Sequence, residues 1–246
     1  MKHASNKPAP SDPADLSIVA GERADLIRAA FDGAVGCTVR CVPRRRTLMV
    51  QSGGDTIYAK LHRRRRAAAA AEWRWLHVLP LLGISAARPV AWVARGATSM
   101  VVTEAVAGRS LDAWGCDAAR EGWVDEWLRF VTTRVAELVR RLHAQRLMHR
   151  DLNFAHVFCG DPRDGGGELT LIDVERMFEA RWRRRRWIVK DLAALLASSP
   201  VEISDRVALR FLRNYLRGRR PFLWRSWARA IRRKADRIGG RTPRFG

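Results

Sequence analysis

His149-Arg150-Asp151-Leu152-Asn153-Phe154-Ala155-His156-Val157-Phe158, followed by Leu169-Thr170-Leu171-Ile172-Asp173, is the stretch that decides the fold. Asp151 comes directly after the run Phe130 to Leu147, whose apolar residues Val131, Val135, Leu138, Val139 and Leu142 recur at helical spacing. Asp173 lies 22 positions further on, at the end of a short apolar strand reaching from Leu169 to Val174. A carboxylate on a loop after a helix, and a second at a strand end, are the pair that phosphoryl transfer needs. One orients the attacking hydroxyl and the other holds Mg2+.

Working toward the N-terminus, the same chemistry asks for a lysine on the nucleotide phosphates. Lys60 closes the strand Thr56-Ile57-Tyr58-Ala59-Lys60, and Glu72 follows on an Ala-rich helix spanning Arg64 to Leu82, placed to hold the ammonium by an ion pair. Strands are expected at Thr38 to Val42, Thr47 to Gln51 and Thr56 to Leu61, with Ser52-Gly53-Gly54-Asp55 as a turn, then near Val90 to Val93 and Met100 to Glu104. Glu104, closing the last of these, joins Lys60 and Glu72 in the expected nucleotide-binding set. Toward the C-terminus, helices are expected around Asp191 to Ala197, Asp205 to Leu216 and Trp224 to Ile238. The first half is mostly β and the second mostly α.

With 246 residues and 47% hydrophobic content, the chain is long enough to build two lobes around a site. Residues 1–16, punctuated by Pro8, Pro10 and Pro13, read as a disordered leader, 17–105 as a nucleotide-binding N-lobe and 106–246 as a C-lobe. Cys37, Cys41, Cys116 and Cys159 show no paired CxxC spacing and read as reduced thiols. No apolar run reaches the roughly 18 residues needed to span a bilayer, so a cytoplasmic protein is expected. Lys and Arg number 46 against 25 Asp and Glu, a net charge of +21 that favours anionic partners. Nucleic acid is disfavoured among these, because no helix-turn-helix, zinc-ligand set or RNP-like motif accompanies the charge.

The block from His149 to Phe158, with Leu171-Ile172-Asp173-Val174-Glu175-Arg176 and Lys190-Asp191-Leu192, resembles the lipopolysaccharide core kinase family, which phosphorylates heptose or Kdo sugars. Protein kinases carry Asn five positions after the catalytic Asp. Here that position is His156, the form typical of the sugar-kinase family. Only 17 residues separate Asp173 from Asp191 and no APE tripeptide occurs, which leaves little room for an activation loop and peptide-docking segment of the protein-kinase type. The resemblance implies an α+β, bilobal protein-kinase-like fold, with a small antiparallel N-lobe carrying one helix and a mostly helical C-lobe. It implies ATP and Mg2+ as cofactors, Asp151 as base with Arg150 and His149 beside it, and Asp173 and His156 on the metal. Asp191 becomes a buried brace of the catalytic loop. The implied acceptor is a glycolipid or phosphorylated sugar, with no obligate protein partner evident.

One departure is plain. Cys41-Val42-Pro43-Arg44-Arg45-Arg46-Thr47 stands where such folds carry a glycine-rich phosphate loop, and it contains no glycine. A pseudokinase or basic anion-binding module is therefore the alternative of a different class, and a minimal Ser/Thr protein kinase is a third. Arginine runs at Arg63 to Arg66 and Arg183 to Arg186 follow Lys60 and Asp173 respectively. Trp224, Trp227 and Ile231 recur at helical spacing among arginines, which suits either a helix lying on an anionic membrane surface at the inner face of the cell membrane or packing onto the C-lobe.

Overall fold

The computed structural model describes residues 15–18, 23–64, 66–217 and 223–240. They divide into two compact units, one running to Trp73 and resuming at Pro89–Glu104, the other taking Arg74–Arg88 and the chain from Ala105.

The first unit is a six-stranded antiparallel sheet, built from β1 (Asp15–Ile18), β2 (Cys37–Val42), β3 (Arg45–Ser52), β4 (Asp55–His62), β5 (Pro89–Arg95) and β6 (Thr98–Glu104), in the order β1-β5-β6-β4-β3-β2. Period-two alternation governs which side chains are buried. In β4 the residues Ile57, Ala59 and Leu61 are buried with Leu48, Val50, Met100 and Val102 of its neighbours. Ile27 and Ala30 of helix α1 (Ala24–Asp32) pack into the same core. Tyr58 and Lys60 alternate with the buried set and so belong to the other face of the sheet.

Each strand expected here is present within two or three residues of its expected bounds. Strand β1 is an addition that no pattern signalled; it pairs with β5 from Asp15 opposite Ala94 to Ile18 opposite Ala91. The rest of the expected leader, residues 1–14, lies outside the described residues. The glycine-free connection between β2 and β3 is a tight turn at Pro43-Arg44, with Arg44 at φ 69°, a left-handed position that glycine or asparagine usually fills.

Helix α2 (Arg66–Leu81) is continuous through the Ala-rich stretch, with Pro80 in its last turn. Its residues to Trp73 group with the sheet and those from Arg74 with the second unit.

The second unit is helical around very short strands. In chain order these are β7 (Arg109–Ser110), α3 (Leu111–Glu121), α4 (Val124–Phe130), α5 (Ala136–Ala144), β8 (Leu147–Met148), β9 (Val157–Cys159), β10 (Thr170–Leu171), β11 (Phe178–Glu179), α6 (Arg184–Ala197), α7 (Asp205–Tyr215) and α8 (Leu223–Gly239). Strands β10, β9 and β7 form one small sheet, and β11 pairs with β8. Gly108, at φ 81°, lets β7 come close to β9, since a Cβ there would stand 2.1 Å from the Cys159 carbonyl oxygen.

Three differences from the sequence pattern have local causes. The amphipathic run starts earlier, at Val124, passes through one π-helical turn at Val131–Val135, and ends at Ala144 rather than Leu147. It stops there because Arg146 takes φ 60° and Leu147 and Met148 pair with Glu179 and Phe178. The expected strand from Leu169 to Val174 shrinks to Thr170–Leu171, because Asp173 at φ 55° turns the chain into a 3-10 turn at Val174–Arg176. Helix α6 begins at Arg184, well before Asp191, so the second arginine run forms its first turns. On α8, Trp227 and Ile231 are buried and Arg185 stacks over the Trp227 ring, so this stripe packs into the unit.

Candidate active site

In the first unit, strand periodicity carries Lys60 to the face opposite the core, where its Nζ lies 2.6 Å from Oε1 of Glu72 on α2. Glu72 is almost fully buried and Lys60 mostly so. A pair withdrawn this far from water holds its geometry, because separating the charges gives up an ion pair that water replaces poorly in a buried place. Glu104 is not part of this pair. Its carboxylate faces Arg23 at 3.8 Å, and Arg23 also bonds Asp55.

The second unit holds the candidate catalytic loop. Its backbone at Arg150 is left-handed, φ 71°, a conformation costly for a residue with a Cβ unless other bonds enforce it. Asp191, buried on α6, supplies those bonds: Oδ2 accepts the His149 N–H at 2.8 Å and Oδ1 the Arg150 N–H at 2.9 Å. Behind it, the His143 ring lies 3.4 Å from Asp191 Oδ2 through Nε2 and 2.9 Å from the Tyr215 hydroxyl through Nδ1, which ties α5, α6 and α7 to the loop. The Arg150 guanidinium sits over the rings of Phe178 and Trp187, 5.9 and 5.7 Å from their centroids.

Asp151, projecting from this loop, is half-buried. One Nη1 of Arg176 donates to both of its carboxylate oxygens at 2.8 Å. Lys190 Nζ donates to the Arg150 carbonyl at 2.8 Å.

His156 and Asp173 are brought together by backbone pairing: Val157 stands opposite Leu171, and the Ile172 N–H donates to the His156 carbonyl at 3.0 Å. The His156 ring lies 2.9 Å from the Asp151 carbonyl through Nδ1, and since a carbonyl only accepts, Nδ1 carries a proton. Through Nε2 the same ring lies 3.5 Å from Asp173 Oδ2. An imidazole nitrogen and a carboxylate set this close are a donor set that suits a divalent cation.

His149 is completely buried and its ring stacks on that of His156 at 6.0 Å. Its Nε2 donates to the Ile172 carbonyl at 3.2 Å. Burial first, and then the neighbouring His156, push its pKa below the ordinary 6.5, against the pull of Asp191 and Asp173. It is a neutral strut between the two carboxylate segments.

The structure thus joins Lys60 to Glu72, and in the second unit sets Asp151, His149, Arg150, His156 and Asp173 around one loop. Arg176 and Lys190, both beside Asp151, were not singled out from the sequence. The available signals were the position of Arg176 three residues after Asp173 and of Lys190 next to the bracing Asp191.

The model of the lipopolysaccharide kinase (Kdo/WaaP) family matches residues 45–215. The chain belongs to that family. Similar family proteins include the lipopolysaccharide core heptose(I) kinase WaaP of Pseudomonas aeruginosa, 26% identical over 245 residues that cover 88% of this chain and 91% of the relative. The enzyme of the same name from Escherichia coli is 29% identical over 205 residues, 73% of this chain and 77% of the relative. Among solved structures, WaaP in complex with acyl carrier protein superposes with a TM-score of 0.72 at 28% identity, covering 87% of this chain and 92% of that one. An aminoglycoside-3'-phosphotransferase of type VIII gives a TM-score of 0.59 at 21% identity over 85% and 97% of the two chains, a likeness of fold. Family membership establishes the protein-kinase-like fold and the sugar-kinase resemblance read from the His149 to Phe158 block.

Proposed function

We propose that this protein transfers the γ-phosphoryl group of ATP to a heptose or Kdo hydroxyl of the lipopolysaccharide core, with Asp151 as the base that orients and deprotonates the acceptor. The observation that carries this is the Asp151 loop itself, fixed through both backbone N–H bonds to Asp191 and adjoining the facing pair His156 and Asp173. Asp173 and His156 would hold Mg2+, which supplies charge neutralisation for the phosphates when bound. We assign nucleotide binding to residues 17–105, with Lys60 held by Glu72 for the phosphates and Glu104 at the end of β6, and acceptor binding to residues 106–246.

Among the described residues no helix is long and apolar enough to cross a membrane. The proposed location is cytoplasmic and peripheral, at the inner face of the cell membrane where a glycolipid acceptor is presented. In support, Trp182 is 83% exposed between the exposed Arg181 and Arg183, an aromatic residue and cations suited to an anionic interface. Acyl carrier protein, the partner in the relative's complex, is a further proposed partner. An apolar cavity of about 590 Å3 in the second unit, with exposed Arg225 and Arg229 among its lining residues, offers such a partner a surface.

The test uses purified protein with Mg2+, labelled ATP and deacylated core oligosaccharide. The expected result is transfer to the glycan by the wild type and a rate about 100- to 10,000-fold lower by Asp151→Asn. Equal transfer by the variant sinks the assignment. Labelling of generic proteins but not of glycans would revive the protein-kinase reading instead.

A further inference from the structure

We infer that Lys190 is a further catalytic residue, an ammonium delivered to Asp151 from α6 that contacts the phosphoryl group during transfer; the inference rests on the function proposed above. The need for it is electrostatic. A carboxylate base and a phosphoryl group, both anionic, must share the attacking oxygen, and a cation on the side of the base, beyond the Mg2+ and Lys60 assigned to the nucleotide phosphates, lowers their repulsion.

Three cations lie at this loop, and two are already engaged. Arg176 spans both oxygens of Asp151 with a single Nη1, so its charge is matched by the base. Arg150 points its guanidinium at Phe178 and Trp187. Lys190 differs, because it donates to a neutral acceptor, the Arg150 carbonyl, and among the described residues it forms no ion pair with a carboxylate. An ammonium has three N–H groups, so two remain for a ligand.

Its place is also fixed. Asp191 holds the Arg150 N–H while Lys190, the preceding residue, holds the Arg150 carbonyl, so adjacent side chains of α6 grip both ends of the same loop residue. Desolvation lowers the Lys190 pKa from 10.5; the charge of Asp151 opposes that shift, while Arg150 and Arg176 add to it. Such an ammonium is short of water and feels the charge of Asp151. Asp191 acts in the same sense as Asp151.

In the step itself, the acceptor oxygen forms its bond to phosphorus as the bond from phosphorus to the ADP oxygen breaks. The acceptor proton goes to Asp151. Lys190 keeps its proton throughout and contributes charge and hydrogen bonds to the phosphoryl oxygens.

The experiment compares wild type, Lys190→Met, Lys190→Ala, Lys190→Arg and Asp151→Asn in the transfer assay, with melting curves to establish folding. The expected result for Lys190→Met is a kcat about 100-fold lower or more, the range for losing one preorganised donor, with both KM values within about three-fold. Lys190→Arg should recover part of the loss, and added ethylammonium should raise the rate of Lys190→Ala but not that of Asp151→Asn. A purely bracing lysine would lower melting temperature and rate together and would not respond to the free amine. The inference is overturned if the folded Met variant keeps the wild-type kcat, or if neither arginine nor amine restores any activity. Full activity of Lys190→Met beside a dead Asp151→Asn sinks the inference alone, whereas a wild type that phosphorylates no glycan sinks the proposed function and the inference with it.

Discussion

The two units present their charged groups in opposite ways. In the first, Lys60 is carried by a regular strand and Glu72 by a regular helix, and a single ion pair of 2.6 Å joins them. In the second, Asp151, His156 and Asp173 sit on irregular backbone between strands of two or three residues, with Arg150 and Asp173 both left-handed. Regular elements satisfy their own backbone groups and set side-chain direction by periodicity alone. Irregular segments cannot, so side chains such as Asp191 and His149 must bond to the backbone and hold it. The second unit therefore concentrates its chemistry where its geometry depends most on a few buried polar residues.

This contrast can be broken most forcefully at Asp151. Asn in its place keeps the loop but removes the proposed base, and transfer is expected to fall by about 100- to 10,000-fold, with MgATP still stabilising the protein in a thermal-shift titration. Next comes Asp191→Ala, which releases the His149 and Arg150 N–H groups together. Bonds to a charged acceptor imply a loss of about 3 kcal/mol in denaturant unfolding, and activity should fall with it. If the variant keeps both its stability and its rate, the loop is held by something else.

In the first unit the corresponding change is Lys60→Met, which removes the ammonium from the buried Glu72. It should cost about 2 kcal/mol, and the double variant Lys60→Met, Glu72→Leu should regain most of that, since replacing a buried pair by apolar groups is nearly neutral. A double variant less stable than the single one would show that the pair does more than match charge.

His149 offers a smaller, pH-dependent effect. Its pKa is depressed in the folded protein, so the unfolded chain binds the extra proton first. The stability contributed by the neutral ring is complete above 6.5 and declines as pH falls from 6.5 toward the lowered folded value. Melting temperature should drop on acidification through that window, and His149→Gln should flatten the drop; an unchanged slope would remove His149 from the account. The smallest expected effect is at the β2–β3 turn, where Arg44→Gly relieves a left-handed arginine and should stabilise by about 0.5 kcal/mol in chemical denaturation.

The same contrast explains what the sequence revealed. Lys60 and Glu72 were legible because alternation in Thr56 to Lys60 and the Ala-rich helix determine where both side chains point. Asp151 and Asp173 were legible because each follows an element whose periodicity announces it, and His156 because it keeps a fixed spacing from Asp151. Arg176 and Lys190 were not, because their bonds at the Asp151 loop join positions 25 and 40 residues apart, and no local pattern reports such a meeting. The early end of α5 and the shortened strand before Asp173 escaped for a related reason. Both follow from left-handed residues, Arg146 and Asp173, at which nothing but tertiary bonding favours that conformation over a continued helix or strand.

The left-handed backbone at Arg150 and Asp173 also bears on any attempt to engineer this protein. Glycine at either position would remove the steric penalty of the Cβ, so a search for hardier variants that scored backbone ease alone would select it. The same substitution deletes the guanidinium stacked on Phe178 and Trp187, or the carboxylate facing His156. At these two sites a gain in robustness and a loss of chemistry arrive in one mutation, which makes them positions to exclude from any thermostabilising library.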